Sequence, residues 1–197
     1  MGKSHEQRKQ EIIEATMELS VEKGLKKLTT QAIADRVGIA QPTIFRHFKS
    51  RDEIFAAVIN WVGESLFKVI GGLFSGSGPA DERLHQLILK QLSFMSKHRA
   101  IPRVLFSDRL HLESPHLKAA VQTMMDGYTQ RLTGLIDEGI GQGVFCHDLE
   151  PERTSRYIVA AIQGLVMRWS VYEFNFSLEE EAEPLWQFLQ PTLRPVS

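Results

Sequence analysis

Between Lys23 and Arg51 the chain carries seven lysines and arginines: Lys23, Lys26, Lys27, Arg36, Arg46, Lys49 and Arg51. They face a single acid, Asp35, a local balance of +6 in a chain whose net charge is −1. Cations concentrated in this way suit phosphate. Side chains able to read or grip a duplex are interleaved with them. Gln41 offers an amide for paired hydrogen bonds to adenine, and Pro42 an apolar edge for a thymine methyl. Thr43 suits a phosphate or a base. Thr30 and Gln31 open a helix whose free N–H groups would face the sugar-phosphate backbone. His47, Lys49 and Arg51 suit phosphate contacts, which set register without reading sequence, and Arg46 can serve either purpose. The plainer explanation of scattered lysines is a solvated helical face, and capping or surface solvation competes at each of these positions.

The elements that would position these groups lie in LTTQAIADRVGIAQPTIFRHFKSRDE, residues 28–53. Thr30 to Arg36 reads as a helix with Ile33, Ala34 and Val37 on one face, stopped at Gly38 by a left-handed residue. Gln41-Pro42 opens a second, because proline lacks the N–H that a first turn would orphan. Ile44, Phe45 and Phe48 supply its inward side. Ala34, Gly38 and Ile44 stand where a helix-turn-helix needs a small crossing residue, a turn glycine and an apolar anchor. Ser50 and Glu53 form a capping box that opens a third helix.

AIADRVGIAQPTIFRHFKSRDEIF resembles the DNA-binding module of the TetR family of transcriptional regulators, and LTT…GIAQPTIFRHFKSR is most similar to the tetracycline repressor type. The resemblance covers about residues 8–60 and beyond them extends only to layout. It implies an N-terminal three-helix DNA-binding domain, residues 1–52, and a C-terminal effector-binding and dimerisation domain, residues 53–197. It also implies that Gln31, Gln41, Pro42, Thr43, Phe45, His47 and Arg51 occupy DNA-contacting positions. Two departures matter. Phe45 stands where the family usually has tyrosine, so a hydroxyl contact of about 1 kcal/mol is absent. Gln31 stands where the tetracycline repressor type has a base-reading arginine, so the operator should differ.

A chain of 197 residues, 43% hydrophobic and 24% charged, has the composition of a soluble globular protein. No run approaches roughly 18 apolar residues, so no membrane span is expected. The charged start, MGKSHEQRKQEIIEA, is unlike a secretory signal. The lone Cys146 fits a reducing compartment, and a cytoplasmic protein is expected. Helical periodicity predicts a first helix over 4–23, a long one from Ser50 to about 74, and another from Pro79 to about Lys97. Residues 98–113 should be short and irregular around Pro102. Further helices are expected over 114–140, 151–174 and 178–189, with Gly139, Gly141 and Gly143 breaking the first of them and a Ser177–Glu180 box opening the last. SGSGP at 75–79 is the clearest linker. The fold is all-α, with about nine helices.

The 151–174 helix is apolar around most of its circumference and must be covered on nearly every side. A central core helix of a monomer would satisfy that. In the family the last two helices form a symmetric four-helix interface, which this pattern resembles, with Ile158, Ala161, Ile162, Leu165, Trp169, Leu185 and Phe188 as interface residues. Ala160, Ala161 and Gly164 are small enough for close approach. The family layout also implies an effector cavity whose binding moves the DNA-reading heads through the third helix, since no linker separates them. Trp61, Phe67, Phe94, Phe106, Met124, Met125 and Tyr128 are candidate walls, with Arg103, Arg109 and Arg168 as polar anchors. Core packing is the competing role of each wall residue, and snorkelling that of Arg168. Cys146-His147-Asp148, with His111 and His116, matches no recurrent metal-site spacing. No basic cluster in the sequence activates Cys146. No metal and no cofactor is expected.

Three function classes follow. The first is a dimeric regulator, a repressor released from a pseudopalindromic operator by a small, largely apolar effector. The second is a DNA-binding protein of the same fold without such an effector, acting through other proteins or along the chromosome. The third is an enzyme or ligand carrier. Against an enzyme, the sequence shows no phosphate loop, nucleophile motif or convergent carboxylate or histidine cluster.

Overall fold

In the N-terminal segment, three of the four helix starts are built from side-chain oxygens that meet orphan amides. Ser4 Oγ accepts from Gln7 N–H while the Gln7 side chain accepts from Ser4 N–H, a capping box that opens α1 (His5–Lys23). Thr29 Oγ1 accepts from Ala32 N–H and opens α2 (Thr30–Val37). α3 (Gln41–Ile44) has no side-chain cap and relies on Pro42, which needs none. Ser50 Oγ accepts from Glu53 N–H at 3.1 Å and opens α4 (Arg51–Phe74). The expected return bond forms one residue earlier than a capping box places it: the Glu53 carboxylate takes Lys49 N–H, not Ser50 N–H.

The protein is described by a computed structural model over residues 3–24, 27–107 and 114–195. The remaining helices are α5 (Ala80–Ser96), α6 (Ala100–Leu105), α7 (Pro115–Gly141), α8 (Pro151–Val171) and α9 (Ala182–Leu193), with no strand among the described residues. The chain divides into two compact units, residues 1–63 with 99–122 and residues 64–98 with 123–197. In the first, α1 packs on α2 and α6, and α2 on α3. Its core holds Ile12, Leu19, Leu28, Ile33, Ala34, Ile44, Phe48 and Phe55. Gly38, at φ 73° and ψ 39°, makes the left-handed turn that ends α2, with Ile39 N–H bonding back to Ala34 O at 3.0 Å.

In the second unit α5 packs on α8 and α9. The start of α5 has no local side-chain cap. Gln142 from the end of α7 supplies it instead, its Oε1 accepting from Ala80 N–H at 2.8 Å while its Nε2 donates to Glu138 at 2.9 Å. Glu138 pairs with the buried Arg83 guanidinium, whose hydrogen bond holds that carboxyl below the usual carboxylate range.

Several boundaries differ from those expected, and prolines and glycines explain most of them. α9 starts at Ala182, not 178, which puts Pro184 in the first turn, where its missing N–H costs nothing; the helix carries a second proline, Pro191, in its interior. The Ser177 hydroxyl still accepts from Glu180 N–H, but it caps only a turn. α9 continues to Leu193, where Cys146 N–H takes the last carbonyl at 2.7 Å. Pro102, expected as an interruption, sits in the first turn of α6. α8 ends at Val171 because Glu173 and Phe174 turn left-handed, at φ 55° and 62°. α4 continues through Gly71 and Gly72. Among the described helices α4 alone is long and apolar enough to cross a membrane by composition, at a mean hydropathy of 1.4. Half of that stretch is buried inside the protein, which is how a core helix earns such a composition.

Gly139 does not break α7, which runs on to Gly141; it makes room. A Cβ there would lie 2.2 Å from the Phe145 ring and 3.0 Å from Ala80 Cβ. Phe145 is fully buried and cannot yield. Gly139→Ala should therefore destabilise the protein by about 1–3 kcal/mol in urea unfolding. Gly127→Ala, in the same helix with open space around it, should instead stabilise by about 0.5–1 kcal/mol.

Candidate nucleic-acid interface

The recognition element is short. Only Gln41–Ile44 is α-helical, and the chain continues as turns in which His47 N–H and Phe48 N–H both bond to Ile44 O at 2.9 Å. Ile44 and Phe48, four residues apart, therefore share the inward face, 0% and 4% exposed. Phe45 does not join them: the next position on the helical wheel points outward, and its ring is 48% exposed. The expectation that Phe45 packs inward is corrected, and its side chain is available to a partner. Gln31, Pro42, Arg46 and Lys49 are exposed, and Thr30, Gln41, Thr43, His47 and Arg51 half-buried.

Two amides in this surface are held by neighbours. Gln31 Nε2 donates to Asp35 Oδ1 at 2.6 Å along α2. Gln41 Nε2 donates to Thr30 Oγ1 at 2.8 Å, joining the start of α3 to the start of α2. Asp35, not among the residues expected at this surface, is signalled as a partner of Gln31 by its i+4 spacing on a helix.

The basic island is smaller in space than in sequence. Arg36 reaches back to α1, with Nη1 2.9 Å from Glu18 and Nη2 2.5 Å from Glu22. Those hydrogen bonds raise the guanidinium pKa further and lower that of Glu22. Arg36 thus ties α2 to α1 and leaves the set of cations available to phosphate. Arg46 and Lys49 form no ion pair among the described residues, and Arg51 lies over the Phe55 ring at 5.4 Å. Lys26 lies outside the described residues.

His47 meets the start of α1, its ring 4.5 Å from that of His5. Burial first, then the nearby His5, Arg46, Arg8 and Lys9, holds its pKa below the ordinary imidazole value. The folded state thus prefers neutral His47. Its contribution to stability is complete above the unfolded pKa of about 6.5 and is lost as pH falls through the lower folded value. Melting temperatures taken from pH 7.5 down to 5 should show His47→Asn losing less stability on the acid side than the unmodified chain.

The other sequence-predicted residues scatter. Phe67, Phe74 and Tyr128 form an aromatic cluster with centroids 5.8–6.3 Å apart, and Tyr128 Oη donates to the buried Gln91. Burial pushes the Tyr128 phenol pKa up. Phe94 is buried and stacks on His98 at 4.3 Å; Trp61 and Met124 are half-buried. Phe106 is exposed. Met125 is also exposed, and it lines an open groove of about 640 Å³ between α7 and α8 with polar neighbours such as Thr129, Arg156 and Gln163. Arg168 faces solvent, over the Tyr172 ring at 4.6 Å, so it is not an inward anchor. Arg103 is half-buried in α6. Arg109 and His111 lie outside the described residues, and His116 is exposed. Cys146, His147 and Asp148 bring their ligand atoms within 4.8 Å of one another, as three consecutive loop residues of which two are exposed.

On α8 and α9 the expected interface residues divide. Ile158, Ile162 and Trp169 are 1–2% exposed within the single chain; they serve its own core, because their face of α8 is the one turned inward. Ala161, Leu165 and Leu185 are half-buried, and Phe188 is 73% exposed. Tyr157 and Val171, each 67% exposed, extend the outward apolar face of α8 and were absent from the expected interface set.

Residues 12–58 match the model of bacterial regulatory proteins of the tetR family, and residues 77–171 that of the tetracyclin repressor-like C-terminal domain. The nucleoid occlusion factor SlmA of Pasteurella multocida (strain Pm70) is 26% identical over 190 residues, spanning 94% of this chain and 93% of its own. Among solved structures, the fatty acid degradation regulator FadR of Bacillus halodurans superposes with a TM-score of 0.83 at 19% identity, over 96% of this chain and 97% of its own. FadR of Bacillus subtilis, in complex with stearoyl-CoA, gives 0.80 at 22% identity, over 93% and 98%. With its helix pair joined by a left-handed glycine turn and its outward basic edge, the chain belongs to the TetR family and is a DNA-binding transcriptional regulator.

Proposed function

We propose that the protein is a repressor that binds a pseudopalindromic operator as a homodimer and is released by a small, largely apolar effector. The reading is carried by the exposed edge of α3, where Gln41, Pro42 and Thr43 at its start would meet bases and Arg46, His47, Lys49 and Arg51 phosphates. Residues 1–52 act as the reading domain and 53–197 as the effector-binding and dimerisation domain of a cytoplasmic protein. A homodimer is supported by the exposed apolar side chains of α8 and α9, among them Tyr157, Val171 and Phe188, beside the small Ala160 and Gly164. Two copies would read half-sites one helical turn, about 34–36 Å, apart.

An apolar effector is supported by the aromatic cluster around Tyr128 and by the stearoyl-CoA bound to the FadR relative. α4 runs unbroken from the cap at Ser50 to Phe74, so a shift of its second half would be carried to the reading domain. A second reading, action along the chromosome without an effector, is favoured by the nearly full-length match to nucleoid occlusion factors. Selection from random duplex DNA gives half-site, spacing and stoichiometry together. Release of the selected duplex by stearoyl-CoA at micromolar concentration would favour the first reading, and indifference to it the second. Failure to enrich any sequence at low salt would sink both.

Gln41→Ala should weaken operator binding by about 1–3 kcal/mol and relax preference at one base pair. Lys49→Ala should weaken all sequences alike and lower the salt slope by about one. Equal, sequence-blind losses in both would rule out this docking of α3. Phe188→Asp should shift the protein from dimer to monomer in sedimentation velocity; an unchanged dimer would place the interface elsewhere.

A further inference from the structure

We infer that Thr30 is a specificity-determining positioning residue: a DNA phosphate that takes its hydroxyl hydrogen fixes which way round the Gln41 amide faces the bases. The inference rests on the docking proposed above. Thr30 and Gln41 stand eleven residues apart and meet across the turn, with Gln41 Nε2 donating to Thr30 Oγ1 at 2.8 Å. Both are half-buried, so neither is free to wander.

A hydroxyl can donate or accept, and a carboxamide has one donor end and one acceptor end. The pair alone therefore has two arrangements. If Thr30 donates to Gln41 Oε1, both amide hydrogens face outward and suit only acceptors, such as N7 and O6 of guanine. If Thr30 accepts from Nε2, the amide shows Oε1 and its second N–H, which match N6–H and N7 of adenine. The structure holds the second arrangement.

Thr30 is the first residue of α2, where free backbone amides favour a phosphate. An ionised phosphate oxygen only accepts. Seated there, it claims the Thr30 hydrogen, the hydroxyl is left as an acceptor, and only the adenine-reading orientation of Gln41 survives. Gln31 provides the internal contrast. Its Nε2 donates to Asp35 Oδ1 of the same helix, so its donor end is turned along α2 and not across the turn. A backbone contact, ordinarily silent in sequence, thereby acquires a share in base reading.

The test is selection from random duplexes with the unmodified chain, Thr30→Ser, Thr30→Val and Gln41→Ala, each checked for an unchanged circular-dichroism melt. The unmodified chain should prefer adenine over guanine at the Gln41 position by roughly 5–150-fold, the value of one paired contact. Thr30→Ser should keep that ratio. Thr30→Val fills the same volume without the hydroxyl and should bring the ratio to within about threefold while preferences elsewhere hold. Thr30→Ala serves in the same role if the valine variant melts early. Retention of the ratio in Thr30→Val, or an equal loss in Thr30→Ser, would overturn the inference. If Gln41→Ala leaves every preference unchanged, the docking of α3 is wrong and the inference goes with it, an outcome distinct from failure of Thr30 alone.

Discussion

A helix of four residues cannot hold itself together. α3 spans only Gln41–Ile44, little more than the nucleus whose formation is uphill in any isolated chain. What keeps it in place is the burial of Ile44 and Phe48 against the core of the first unit, at a distance fixed by the left-handed turn at Gly38. The outward groups inherit their positions from those two side chains. The caps at Ser4, Thr29 and Ser50, the Arg36 clasp to α1 and the His5–His47 contact all steady the scaffold on which that short helix rests.

The same economy explains which charges remain available. Helix α1 brings Glu18 and Glu22 against Arg36, so part of the local positive balance is spent on assembling the head. Such exposed pairs contribute little individually, and they are screened by the salt that also weakens phosphate binding. Arg46 and Lys49 stand exposed after α3, and Lys23 and Lys27 stand exposed before α2.

Helix types, the turn and the caps were legible in the sequence because each rests on local chemistry: Gly38 at a left-handed turn, Pro42 in a first turn, Ser50 three residues before Glu53. At the start of α9 two local signals compete, Pro184, which suits a first turn, and the Ser177–Glu180 spacing, which caps only the turn before it. Other features depend on contacts far apart in the chain. Nothing near Gly139 announces that the Phe145 ring lies against it, and nothing near Arg36 announces Glu18. The division of α8 into Ile158, Ile162 and Trp169 inside and Tyr157 and Val171 outside also needed the fold, because an all-round apolar helix gives no phase. The wall residues proposed for an effector scattered for the same reason, as aromatic content marks interior position without saying which interior.

The helix start at Ala80 has a bearing on how the chain is made. Its first amide is closed by Gln142, 62 residues downstream, and the buried Arg83 waits on Glu138 in the same stretch of α7. During synthesis α5 emerges with its opening turn unsatisfied and a guanidinium without its carboxylate, and it stays so until α7 is complete. Closing so long a loop is slow relative to forming a helix, so the second unit matures late, well after the locally capped head. A ribosome-bound nascent chain would thus present a locally closed first helix pair before the second unit is complete.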